Sequence, residues 1–101
     1  MIMEKIKTFI DDKEIKGIYL SKNRVYVGKE NKNMTKTDII VSEEELNAFA
    51  LEIRQKVGNE HVKDPAIVVN YPESFRTHIF YEKVSKEGTF INMFRIDAEN
   101  E

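Results

Sequence analysis

The sequence has no cysteine and no tryptophan, and only two histidines, two prolines and four glycines. The absence of cysteine excludes a disulfide scaffold, a thiolate metal site and a cysteine nucleophile. Two histidines are too few for a histidine-rich metal site. The glycine-rich phosphate loop, the H-E-x-x-H zinc motif and the G-x-S-x-G nucleophile motif are all missing. The sequence therefore predicts no catalytic residues and no metal ligands.

Long apolar runs are also missing. No stretch approaches the roughly 20 apolar residues of a membrane-spanning helix. The start, MIMEKIK, lacks the apolar segment of a secretory signal peptide. We therefore expect a cytoplasmic location.

Charge of one sign is not in excess either, because 16 basic residues stand against 18 acidic ones and give a net charge of −2. This balance argues against a nucleic-acid binder driven by net charge, so no specific nucleic acid is expected as a partner. The 101 residues are 41% hydrophobic, which suits one small domain spanning 1–101. The polar end, residues 97–101, is expected to be frayed.

Two segments have the apolar spacing of helices. Ile2, Ile6, Phe9 and Ile10 lie on one face of a helix predicted over Met1–Asp12. A second helix is predicted over 42–57, where Ser42 and Glu45 have the spacing of a capping box and Gly58 supplies the stop. We expect it to cover a sheet with Leu46, Phe49, Ile53 and Val57.

Six further segments are typical of strands: Ile15–Leu20, Arg24–Lys29, Thr37–Val41, Ala66–Asn70, Phe75–Lys83 and Thr89–Ile96. The links between them are short, which favours antiparallel neighbours. The predicted fold class is α+β, a mostly antiparallel sheet of about six strands packed by two main helices, PAS-like in shape.

Three groups of chemistry-bearing residues have an ordinary structural interpretation. Glu43, Glu44 and Glu45 stand in the first helical turn, where carboxylates complement the helix dipole. His61 follows a helix stop and is expected at the surface. His78 is expected to be a packed or half-exposed strand residue.

Two arginines near the C-terminus are candidates for an anion site. If the last hairpin is centred between Ser85 and Lys86, Arg76 and Arg95 stand directly opposite each other on one face. Like charges in that position repel, and an anion such as phosphate would suit both guanidinium forks. Two alternatives remain: the hairpin register differs, or the arginines are neutralised by structural acids, namely Glu73, Glu82 or Asp97.

The order of these segments resembles the N-terminal domain of the secretion ATPases, the traffic ATPases of type IV secretion and tight-adherence pilus systems. The opening IDDKEIKGIYLSKNRVYVGKENK is similar to the family's acidic start and V-Y-V strand. IIVSEEELNAFALEIRQKVG is similar to its capped helix, and DPAIVVNYPESFRTHIFYEKVSKEGTFINMFRI to its final strands.

The resemblance implies a role beside an ATPase. In the family, a RecA-like domain follows and carries the phosphate loop, and arginines of the N-terminal domain reach the nucleotide. The matching residues are Arg76 in YPESFR and Arg95 in MFR. The implied domain assembles with ring neighbours, approaches the inner face of the membrane and has no activity or cofactor alone. ATP and magnesium are implied only for a longer parent, since the RecA-like domain has no counterpart in this sequence.

A second interpretation remains open. A stand-alone PAS-like module that binds or regulates a partner, without enzyme activity, would have the same pattern of elements. Under the first interpretation, removing either arginine should leave the folding of the lone domain nearly unchanged.

Overall fold

The structure, a computed structural model, describes residues 2–29, 34–58, 66–72, 74–81 and 88–96. Within these ranges the chain forms two helices, α1 (Ile2–Asp11) and α2 (Glu43–Lys56). Six strands accompany them: β1 (Ile15–Ser21), β2 (Arg24–Lys29), β3 (Thr35–Lys36), β4 (Ala66–Val69), β5 (Phe75–Phe80) and β6 (Phe90–Arg95).

The strands form one sheet in the order β3-β2-β1-β6-β5-β4, and every neighbouring pair is antiparallel. Strands β1 and β6 are neighbours at the centre of the sheet, with β2 and β3 on one side of them and β5 and β4 on the other. The predicted α+β class, with about six antiparallel strands and two helices, is confirmed.

Helix α2 begins where the sequence predicts. The Ser42 hydroxyl accepts a hydrogen bond from the Glu45 amide at 3.0 Å, and the Glu45 carboxylate accepts one from the Ser42 amide at 3.1 Å. This reciprocal capping satisfies two of the amides that a helix start leaves unpaired. Leu46, Phe49 and Ile53 are buried, whereas Val57, just past the helix end, is half-buried.

Strand alternation places the core on one face of the sheet. Ile18, Met93 and Ile79 lie on this inner face of β1, β6 and β5 and are fully buried, and both helices pack against it. We call the opposite side the outer face. It carries Tyr19, Tyr26, Arg76, His78, Phe80, Phe90 and Phe94.

The third predicted strand is wrong: β3 covers Thr35–Lys36, and Thr37–Val41 is not a strand. Thr37 explains the change, because its amide and hydroxyl both donate to the Val25 carbonyl and its hydroxyl accepts from the Ile39 amide. Such a local side-chain bond competes with ladder pairing and turns the backbone away. Val41 still becomes a buried core residue.

Strand β5 ends at Phe80 rather than continuing to Lys83 as predicted. Three other predictions lie outside the described residues: the surface position of His61, the hairpin centre at 85–86 and the frayed end 97–101. Among the described helices, none is long and apolar enough to cross a membrane.

Candidate functional site

The hairpin of β5 and β6 has a register one residue away from the predicted one. Arg76 pairs with Phe94, and Phe75 pairs with Arg95. Because successive strand residues point to opposite faces, the two arginines lie on opposite sides of the sheet. The predicted shared anion site between them is therefore wrong. Phosphate contact by Arg76 or by Arg95 in a longer parent remains a prediction.

Arg95 lies on the inner face and binds the end of α1. Its Nη2 donates to the carbonyls of Ile10 at 2.8 Å, Asp12 at 3.0 Å and Phe9 at 3.3 Å. Its Nε donates to the Ile15 carbonyl at 2.8 Å. These are carbonyls at or just past the C-terminal end of α1, so a cation here both caps them and complements the helix dipole.

A local signal in α1 explains why a distant arginine is needed. The last turn of this helix contains no basic residue, and Asp11 and Asp12 stand at its end. Carboxylates at a helix C-terminus are unfavourable, and cations are favourable. Sequence reasoning missed this role because Arg95 is more than 80 residues from the carbonyls it binds.

Arg76 has different surroundings. Its side chain is exposed on the outer face, beside the Phe94 ring and away from the helices. No hydrogen bond or ion pair joins it to another of the described residues. Arg76 is thus an exposed cation next to an exposed aromatic ring. The acids named as its alternative partners, Glu73, Glu82 and Asp97, lie outside the described residues.

Aromatic rings run across the outer face from strand to strand. Tyr19 and Phe90 are 5.7 Å apart between ring centroids, and Phe90 and Phe80 are 4.7 Å apart, both stacked. Tyr26 meets Tyr19 edge to face at 6.0 Å. Such cross-strand pairs stabilise a sheet. Because these rings stack on one another, their faces are occupied within the row.

Phe94 lies at the end of this row and is joined to it by His78, which stacks on Phe80 at 6.4 Å. It meets His78 edge to face at 5.5 Å, while its other neighbour across the sheet is Gly17, which has no side chain. The Met34 side chain lies over Gly17, with Cε and Sδ 3.8 Å from where a Cβ would stand. Phe94 is 50% exposed and Met34 43% exposed. Together with Arg76 they form what we call the Phe94 patch.

Charge is divided unequally between the layers. The six strands contain no acidic residue but six basic ones, whereas α2 contains four glutamates and two basic residues. The nearly balanced charge of the whole chain conceals a sheet layer that is basic and an α2 surface that is acidic.

A groove runs between α1 and α2 on the helical side. It has a volume of about 200 Å³ and is lined by Ile2, Glu45, Ala48, Phe49 and Glu52. Its floor is mostly apolar, and both charged residues that line it are glutamates. One is engaged: Lys5 Nζ lies 2.8 Å from Glu45 Oε2. The hydrogen bond from Lys5, with that from the Ser42 amide, lowers the pKa of Glu45 below its ordinary value of 4.5. We call this feature the α1/α2 groove.

Within the part of the chain that the structure describes, the titratable side chains form no arrangement suited to catalysis or metal binding. No cluster of three or more His, Asp or Glu side chains that could hold a metal ion occurs among the described residues. Glu43 packs against Gly88 and accepts a hydrogen bond from the Thr89 amide at 2.9 Å. This carboxylate anchors the start of β6 to α2.

The fold defined by these elements occurs in a known ATPase structure. The VirB11 ATPase from the Brucella suis type IV secretion system, crystallised in complex with sulphate, aligns with a TM-score of 0.79 and 12% sequence identity. The alignment covers 98% of this chain and 30% of that chain. No protein-family model and no curated protein sequence matches.

The comparison shows a common fold over nearly the whole chain. At 12% identity it shows the fold alone. Since the chain spans less than a third of the VirB11 chain, the activity of that whole protein is not carried over with the fold.

Proposed function

We propose that this chain is a non-catalytic domain of a secretion or pilus traffic ATPase, equivalent to the N-terminal domain of that family, and that it is positioned beside an ATPase domain and neighbouring ring subunits. The observation that supports this most is the alignment of 98% of the chain with one part of a VirB11 ATPase. The order of motifs in the sequence resembles the same family independently.

The surfaces of the domain are consistent with a role in assembly. The Phe94 patch exposes apolar side chains, and the described residues contain neither a metal cluster nor a phosphate loop. An isolated domain with these features binds other proteins more readily than it performs chemistry. ATP and magnesium would belong to the partner domain, and Arg76 or Arg95 would reach the nucleotide only in that context.

Two measurements test the proposal. Calorimetry of the pure chain with ATP and magnesium should detect neither sub-micromolar binding nor turnover above a buffer control. The second measurement is crosslinking of the tagged chain in its own cells, followed by purification and mass spectrometry. We expect a protein with a phosphate loop among the crosslinked partners. Turnover by the chain alone would contradict the non-catalytic role. Recovery of a regulatory partner with no phosphate-loop protein would favour the stand-alone PAS-like module instead.

A further inference from the structure

The Phe94 patch and the α1/α2 groove lie on opposite sides of the molecule and have complementary chemistry. The patch presents a half-exposed aromatic ring with a cation beside it. The groove presents an apolar floor with glutamates along it. We propose that they bind each other between copies of this chain, so that the outer face of one copy docks on the helical side of the next.

The sizes of the two features agree. A closed apolar cavity of about 150 Å³ is large enough to take up a benzene molecule. The α1/α2 groove, at about 200 Å³, has room for the ring of Phe94. Its apolar floor continues onto the surface of α2, because Leu51 follows Ala48 by one helical turn and is 50% exposed.

The charges agree as well. Glu52 lines the groove and makes no hydrogen bond or ion pair with the other described residues, and Arg76 is equally unpaired beside Phe94. Docking of Phe94 in the groove brings these two groups to the same rim. A guanidinium and a carboxylate in that position form a charge-assisted pair and fix the orientation of the contact.

Charge also decides between a head-to-tail and a symmetric contact. In a symmetric dimer the same patch meets itself. Two outer faces would bring Arg76 against Arg76, and two helical sides would bring Glu52 against Glu52. Like charges placed together oppose association. The head-to-tail arrangement alone pairs opposite charges, and it generates a closed ring or an open chain of subunits.

This assignment gives Arg76 a protein carboxylate as its anion, and for Arg76 it is an alternative to the nucleotide contact proposed above. The inference rests on the proposed function only where it places the two copies as neighbouring subunits of a ring. The contact itself uses surfaces of this domain only. Its test therefore needs no ATPase partner, and its failure would leave the crosslinking and calorimetry results above unaffected.

The first test is the mass of the pure chain by sedimentation equilibrium at low and at physiological salt. Up to about 1 mM chain, we expect the average mass to rise with concentration beyond that of a dimer. Salt should weaken the association because part of it is ionic. A mass that stays at 11.9 kDa, or one that levels off at twice that value, would overturn the proposal.

Charge reversals then identify the two surfaces. Arg76→Glu and Glu52→Arg should each weaken association about tenfold or more, and the double variant should restore it. Arg24→Glu, at the far end of the β1–β2 hairpin, and Glu14→Lys, in the turn after α1, are matched controls that should leave it unchanged. Circular dichroism confirms that each variant is folded.

Mixing gives the sharpest result. Arg76→Glu retains an intact groove and Glu52→Arg an intact patch, and the two altered surfaces also carry opposite charges. An equimolar mixture of the two variants should therefore associate beyond a dimer, although neither variant does so alone. Failure of the mixture to associate while each single variant is folded would overturn the head-to-tail contact. Phe94→Ala leaves the groove and the net charge unchanged but removes the docking ring, so this variant should not associate. Persistence of association in this variant would contradict the docking of the ring.

Discussion

The guanidinium of Arg95 lies 4.5 Å from the centroid of the Phe75 ring, on the side of the sheet that packs against the helices. Phe75 is fully buried and stands directly opposite Arg95 in the β5–β6 ladder. The ring supports the flat face of the guanidinium, and its Nε and Nη2 groups donate to four carbonyls at and beyond the end of α1. One arginine therefore ties the last strand to the first helix.

Arg95→Ala should destabilise the domain by about 2–3 kcal/mol, because it leaves carbonyls at a helix end without their charged donor. Arg95→Lys should recover only part of this loss, since an ammonium cannot reproduce the forked contacts. Arg76→Ala is the matched control, and as an exposed change it should stay within about 0.5 kcal/mol of the unaltered chain. Urea unfolding measures all three, and equal effects of the two alanine variants would contradict the role given to Arg95.

Under the ATPase interpretation the sequence predicts that neither arginine matters to folding. The contacts of Arg95 differ from that prediction and show which features local sequence patterns cannot reveal. Local chemistry predicted α2 well, because Ser42, Glu45 and the apolar spacing all lie within one segment. The class and antiparallel arrangement of the sheet followed from short links between strands. These features depend on residues close to one another in the chain.

Register and long-range contacts could not be predicted in the same way. A shift of one residue in the β5–β6 hairpin moves every side chain of one strand to the other face. The composition of residues 81–89 does not determine that shift. The carbonyls bound by Arg95 are distant in sequence, so no local pattern indicates them. The Phe94 patch has a weak signal, the alternation of Phe90, Asn92 and Phe94 in β6, but its exposure depends on Gly17 in another strand.

Phe49 is the second place where stability can be tested. It is 3% exposed and belongs to both the core and the α1/α2 groove. Phe49→Ala should cost roughly 3–5 kcal/mol, as expected for the loss of a buried aromatic side chain. Leu51→Ala removes an apolar side chain of the same helix that is 50% exposed, and its effect should be far smaller. Similar urea midpoints for the two variants would mean that α2 does not pack as described.

Gly88 is the third. Its φ is +96°, and an added Cβ would stand 2.7 Å from Glu43 Oε2 and 3.1 Å from Oε1. Gly88→Ala should therefore destabilise through both backbone strain and displacement of a carboxylate that holds the Thr89 amide, by about 2 kcal/mol or more. Gly58→Ala is the control for strain alone, because φ is +77° there and nothing lies within 4 Å of the added atom. Thermal melts that show the same loss for both variants would argue against the contact with Glu43.

The pH dependence of stability should report on Glu45. Its pKa is lowered from 4.5 first by the hydrogen bond from Lys5 and then by that from the Ser42 amide. A carboxyl group whose pKa is lower in the folded state stabilises the fold at pH values above its unfolded pKa, and this contribution disappears as the pH falls through the folded value. The stability advantage of the unaltered chain over Glu45→Gln should thus be present at neutral pH and shrink on acidification below about pH 4.5.

Lys5→Met identifies the cause of that shift. It removes the principal hydrogen bond to Glu45 and keeps a side chain of similar length, so the acid-dependent part of the advantage should decrease. Glu44→Gln removes a neighbouring exposed carboxylate in the same helical turn and should not reproduce the effect. Urea midpoints measured from pH 7 to pH 3 distinguish these cases. An advantage over Glu45→Gln that stays constant across the range would show that the ion pair between α1 and α2 does not form in solution.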